Sequence, residues 1–120
     1  MKYGAKRTVC GAGHTHDSKL EAGRCGELHL LEKAGRIRNL MIHPQFYFEI
    51  NGAPLKHGNG RRVGYKADFQ YFEGDANVVE DCKGFITPDW PLRKAVFCAL
   101  FPYIEFREVK ANANRNRKVR

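Results

Sequence analysis

The stretch that most constrains this chain is residues 63–83, where two alternating runs flank Gly74-Asp75. A two-residue loop of this type between such runs signals a β-hairpin with a type II′ turn. It pairs residues whose numbers sum to 149, setting Asp68 opposite Asp81 and Lys66 opposite Lys83. Period-two alternation then gathers Lys66, Asp68, Gln70, Val79, Asp81 and Lys83 on one face. Tyr65, Ala67, Phe69, Tyr71, Val78 and Cys82 take the other, expected to be the core side, and Glu80 is an anomaly among them.

Two carboxylates facing each other across a ladder have Cβ atoms only ~5 Å apart, and like charges so placed are destabilising. A divalent cation converts that repulsion into ligation, since Mg²⁺ takes one or two carboxylates and fills its remaining positions with water and phosphate oxygens. Lys83, on the same face as Asp81, would bring positive charge to a phosphate or hold a water. The competing reading is a solvated face whose diagonal Lys–Asp pairs balance one another, each worth little. The pattern leaves both open.

The rest of the chain supplies elements to pack on this hairpin. The spacing predicts a helix over about 18–34 ending at Gly35, with Leu20, Leu28 and Leu31 on its apolar stripe. A strand-rich run covers 40–50, and 51–62 form the longest loop. Thr87-Pro88-Asp89 reads as the start of a helix over about 89–101, stopped by Pro102, and 104–109 alternate as a last strand. Residues 1–16 read as loop or short edge structure. The expectation is one α/β domain over 1–109 and a basic, flexible tail over 110–120 that carries Arg115, Arg117, Lys118 and Arg120.

Twenty-one Lys and Arg against thirteen Asp and Glu give +8, which favours a polyanionic partner such as nucleic acid. Arg61 and Arg62, beside Gly58-Asn59-Gly60, form either a phosphate-gripping loop or a solvated hairpin tip, and Arg93 and Lys94 either contact DNA or face water. No apolar run approaches the ~20 residues that span a bilayer, and no secretory h-region is visible, so no membrane partner and an intracellular protein are expected. Cys10, Cys25, Cys82 and Cys98 lack CxxC spacing, so disulfides are not expected, and a zinc site from Cys10, His14, His16 and Cys25 fits no common pattern. Trp90 is read as packing rather than base stacking.

Glu21 admits two readings. Ser18-Lys19-Leu20-Glu21 fits a capping box, in which the glutamate closes the first turn. Yet Glu21, Cys25 and Leu28 share one stripe, and an inward carboxylate needs a partner such as a metal ion.

A helical Glu21, a lone Asp68 on a strand and Asp81-Cys82-Lys83 on the next strand together resemble the PD-(D/E)XK nuclease superfamily. More narrowly, Asp17–Ala22, Ala67–Tyr71, Val78–Gly84 and Ile104–Val109, in that order, are similar to a family of small phage-encoded proteins of unassigned function within it. The resemblance implies a restriction-endonuclease-like fold, with a mixed, mainly antiparallel sheet flanked by helices. It further implies Mg²⁺ or Mn²⁺ held by Asp68, Asp81 and the Cys82 carbonyl, with Glu21 completing a second site or orienting a water and Lys83 neutralising charge. Glu21, Asp68, Asp81 and Lys83 would then be catalytic, and hydrolysis would leave a 3′-hydroxyl and a 5′-phosphate. Similar phage enzymes cut Holliday junctions as dimers, which leaves a homodimer open here, and the compartment implied is the cytoplasm of an infected or lysogenic bacterial host. The chain departs from the family in His16, where an aromatic is expected before Asp17, and in His43-Pro44-Gln45-Phe46, where Gln is usual at the first position.

The expected function is therefore a Mg²⁺-dependent endodeoxyribonuclease, structure-specific if the likeness to junction enzymes holds. The alternative is a non-catalytic nucleic-acid-binding protein on the same fold, which has no need of opposed aspartates. A purely structural phage protein accounts for neither the charge nor the cluster.

Overall fold

The computed structural model describes residues 8–9, 15–16, 19–83 and 86–110. A short antiparallel ladder joins β1 (Thr8–Val9) to β2 (Thr15–His16), ahead of α1 (Lys19–Lys33). The helix ends as its sequence requires. Gly35 sits at φ 79°, its amide bonds the Glu32 carbonyl and the Arg36 amide bonds that of Leu31, closing the last turn with a left-handed cap.

β3 (Arg38–Ile42), β8 (Phe69–Glu73), β9 (Ala76–Lys83) and β10 (Ile104–Lys110) make the central sheet in the order β10-β9-β8-β3. The hairpin register is as the loop dictates, Phe69 with Glu80 through Glu73 with Ala76, around Gly74 at φ 62°. β3 runs antiparallel to β8, whereas β10 runs parallel to β9. A parallel neighbour needs a crossover, and α2 (Trp90–Leu100) supplies it. Between β3 and β8 the chain makes a detour through β4 (Gln45–Tyr47), β5 (Glu49–Ile50), β6 (Ala53–Pro54) and β7 (Gly64–Lys66), pairing β4 with β7 and β5 with β6. The whole is a single small α/β domain with a mixed, mostly antiparallel sheet and two helices. No helix among the described residues is long and apolar enough to cross a membrane.

The sheet is buried on both faces, which corrects the expectation of one polar face. α1 covers one side with Cys25 and Leu28 against Phe69, Tyr71 and Val78. On the other side α2 brings Trp90 and Phe97 onto Tyr65, Ala67, Phe48 and Val79. Tyr65 and Ala67 therefore pack with Val79 rather than with Phe69 and Tyr71. The cause is a break in the long strand: ladder pairing with β9 ends at Phe69, and the preceding Gly64–Lys66 pairs with β4 instead. Lys66 accordingly lies beside Gln45, not opposite Lys83.

Glu80, the anomaly of the sequence, is 1% exposed. Arg24 of α1 grips it with Nε to Oε1 at 2.8 Å and Nη2 to Oε2 at 2.7 Å, and the Tyr71 hydroxyl donates to Oε2. A buried carboxylate is tolerable when charged and neutral donors satisfy it in this way.

Candidate functional site

Two registers and one helix position build the site. After a register shift beyond Arg38, the β3–β8 ladder pairs Met41 with Gln70 and Ile42 with Phe69, which carried one step further sets His43 beside Asp68; the His43 amide indeed donates to the Asp68 carbonyl at 2.9 Å. The β8–β9 register carried one step beyond Phe69–Glu80 sets Asp68 beside Asp81. Asp68 follows the break in the strand, so its side chain does the ladder's work, Oδ2 accepting the Cys82 amide at 2.7 Å. Glu21, from the first turn of α1, completes the group from above.

The Glu21 side chain is 8% exposed and its Oε2 lies 2.6 Å from His43 Nε2. This supports the inward reading of Glu21; the capping partner Ser18 lies outside the described residues. Ligand atoms of Glu21, His43 and Asp68 all fall within 4.8 Å of one another, the one such convergence of metal-ligating side chains among the described residues. Asp81, 4% exposed, adjoins this group and holds Lys83, whose Nζ is 2.7 Å from Oδ2. Lys83 Nζ also stands 3.7 Å from the centroid of the Trp90 ring, so the lone tryptophan packs and steers the lysine rather than offering a free stacking face. The Cys82 carbonyl, expected as a further ligand, belongs to a β9 residue paired with Val109 of β10.

Charge is the governing feature of this cluster. Burial, and then the Asp81 charge, push the Asp68 carboxyl up to about 8, with the Cys82 amide partly offsetting them and Glu21 adding to the rise. The Cys82 thiol is raised as well, by burial first and Asp68 next. Burial and Asp81 likewise hold the Tyr65 hydroxyl protonated. Asp81 Oδ2, apart from its ion pair with Lys83, and the Tyr65 hydroxyl are the buried side-chain polar atoms that lack a well-directed hydrogen bond among the described residues.

Among the described residues, the basic side chains singled out in the sequence divide between ion pairs and two pockets. Arg93 is held by Asp89 and by the Gly64 carbonyl, and Lys94 lies 3.6 Å from Glu108. Trp90 Nε1 donates to Glu108 at 3.0 Å, which lowers that carboxyl below the usual range, with Lys94 and Lys110 assisting. Arg61 and Arg62 line a shallow pocket with His57, Gly58 and Asn59, and Arg62 stacks over Tyr47 at 4.5 Å. A second pocket carries Lys66, Lys83, Trp90 and Arg93. Arg115, Arg117, Lys118 and Arg120 lie outside the described residues, as do Cys10 and His14. Cys25 is fully buried under α1, so it is spent in the core.

A family model described as protein of unknown function (DUF1064) matches residues 1–118. The chain belongs to this family. No curated protein and no solved structure matches it. In this DUF1064 chain the group that sequence reasoning underweighted is His43. It was visible only as a departure before Pro44, because its neighbour Asp68 lies beyond the whole β4–β7 detour. Tyr65 was legible only as a core residue and Glu108 only as part of the last strand.

Proposed function

We propose that this protein is a metal-dependent DNA endonuclease with a restriction-endonuclease-like fold, acting in the cytoplasm of a phage-infected bacterium. The observation that carries the reading is that Glu21 of α1, Asp68 in the bend before β8, and Asp81 and Lys83 of β9 meet at one place beside a half-open histidine. Three carboxylates crowd there against one lysine and one imidazole, an arrangement that a divalent cation would relieve. The buried Asp81 Oδ2 and the raised Asp68 fit such an ion, which Asp68, Asp81 and Glu21 would hold.

When bound, a divalent ion supplies Lewis acidity and a water that ionises near neutral pH. The chain's own residues do the rest. Lys83, fixed by Asp81 and Trp90, keeps its ammonium where negative charge builds on the phosphate's non-bridging oxygens. Glu21 and Asp68 orient the water that attacks phosphorus as the bond to the 3′-oxygen breaks, leaving a 3′-hydroxyl and a 5′-phosphate. Arg61, Arg62 and the basic residues after 110 bind flanking phosphates without reading bases.

The test is incubation with four-way junction, duplex and single-stranded DNA, with Mg²⁺, Mn²⁺ or chelator, for wild type and Asp81→Asn. Cleavage that needs the ion and fails in Asp81→Asn is the expected result. Salt-sensitive binding with no cleavage of any form under either ion would overturn the reading in favour of a non-catalytic nucleic-acid-binding module.

A further inference from the structure

We propose that His43 is itself a metal ligand, and that it makes the centre a mixed nitrogen–oxygen site selecting Mn²⁺ over Mg²⁺. This deepens the nuclease reading and rests on it for the role of the ion. The first ground is convergence: a ring nitrogen of His43 and one carboxylate oxygen each of Glu21 and Asp68 lie within 4.8 Å of one another, so one small cation can touch all three.

The second ground is how firmly the imidazole is presented. His43 sits in the left-handed region at φ 57°, uncommon for a residue with a side chain and a form of backbone strain that collects at functional sites. Its amide is tied to the Asp68 carbonyl and the buried Pro44 follows it, so its direction is set by the same strand segment that carries Asp68. An ordinary exposed histidine needs none of this.

The third ground is access. The ring keeps 38% of its side-chain surface exposed while Glu21 keeps 8%, so the imidazole forms the open side of an otherwise enclosed carboxylate group. Ligation asks Nε2 and Glu21 Oε2 to exchange their mutual contact for an ion that both then share.

Donor chemistry fixes the choice of ion. Mg²⁺ demands near-ideal octahedral oxygen coordination and keeps its waters. Replacing one oxygen by imidazole shifts preference away from Mg²⁺ toward first-row transition ions, among which Mn²⁺ is the one best suited to carboxylate and water as the remaining ligands. The alternative role for His43 is only to orient Glu21 through a hydrogen bond.

The experiment uses the metal-free full chain, titrated calorimetrically with Mn²⁺ and with Mg²⁺, for wild type and His43→Gln. Glutamine retains a hydrogen bond to Glu21, so loss of orientation is not the variable. Electron spin-echo spectroscopy of the Mn²⁺ form reads directly bound nitrogen, and needs no variant. We expect tighter binding of Mn²⁺ than Mg²⁺, and nitrogen coupling in wild type that is absent in His43→Gln. Mn²⁺ affinity should fall about tenfold or more in the variant, the scale on which even an outer partner of a ligand matters, while Mg²⁺ affinity changes little. Bound Mn²⁺ without nitrogen coupling, or equal weakening of both ions, overturns the inference and leaves the nuclease reading standing. Failure of both ions to bind overturns both.

Discussion

Replacing Arg24 by alanine tests whether the buried Glu80 is held at the cost the structure implies. Glu80 is 1% exposed, and its charge is answered by both arms of one guanidinium at 2.8 and 2.7 Å, with the Tyr71 hydroxyl as the remaining donor. Stranding one member of a buried pair costs about 3–5 kcal/mol. The Arg24 side chain is 24% exposed and Tyr71 stays in place, so the lower end applies, about 3 kcal/mol. In a domain of this size that is a fall in Tm of roughly 10 °C. The assay is urea unfolding of the metal-free chain at neutral pH, read by the shift in midpoint at constant m. Adding Glu80→Gln removes the stranded charge while keeping an acceptor for Tyr71. The double variant should therefore recover about 1–2 kcal/mol, a coupling that independent sites do not show. A loss below 1 kcal/mol for Arg24→Ala, or a double variant worse than the single, would refute the reasoning. The clamp also bears on the site. Arg24 lies one turn after Glu21 on α1 and Glu80 directly precedes Asp81, so it fixes the helical carboxylate against the strand that carries Asp81.

Asp68→Asn should stabilise the metal-free protein, and more so at higher pH. The folded-state pKa of Asp68 is raised, so wild-type stability is greatest below the ordinary aspartate range and is lost as pH climbs toward about 8. The variant lacks that slope while its amide oxygen still accepts the Cys82 amide. Parallel Tm–pH curves for the two proteins would refute it, and saturating metal should reverse their order by stabilising wild type. Gly64→Ala should cost about 1–3 kcal/mol, because the added methyl would collide with the Phe46 backbone carbonyl across the β4–β7 ladder. An unchanged urea midpoint, followed by the fluorescence of Trp90, would contradict this.

The elements legible in the sequence are those fixed by local chemistry. Gly74-Asp75 sets a register that holds along β8 and β9, Gly35 stops α1 and Pro102 follows the end of α2. The burial of both sheet faces was harder to read, because it depends on β10 lying parallel to β9, a contact made across the whole of α2. Adjacent Val78 and Val79, both fully buried on opposite faces, are the trace that two-sided burial leaves in a strand. At the site, Asp68, Asp81 and Lys83 could be placed from one hairpin, and Glu21 could be placed on a helix but not aimed. His43 could not be placed, since only the β3–β8 register brings it to Asp68. Glu80 was flagged as misplaced by alternation, and its explanation, Arg24, lies fifty-six residues away.

The parallel ladder of β10 ends with Lys110 in register with Lys83. Neighbouring strands are ~4.8 Å apart, so the chain leaves the sheet at the threshold of the cluster. Ten residues of fully extended chain reach at most about 36 Å. Covalent geometry alone therefore keeps every cation from Arg115 to Arg120 within that distance of Lys110. Were a polyanion bound at the cluster, as the proposed function has it, it would meet those charges at the effective concentration that a short linker sets rather than that of the bulk protein. The same sequence inserted at the Gly74-Asp75 turn, at the opposite end of the β8–β9 hairpin from Asp68 and Asp81, would give the molecule the same net charge from a more distant anchor.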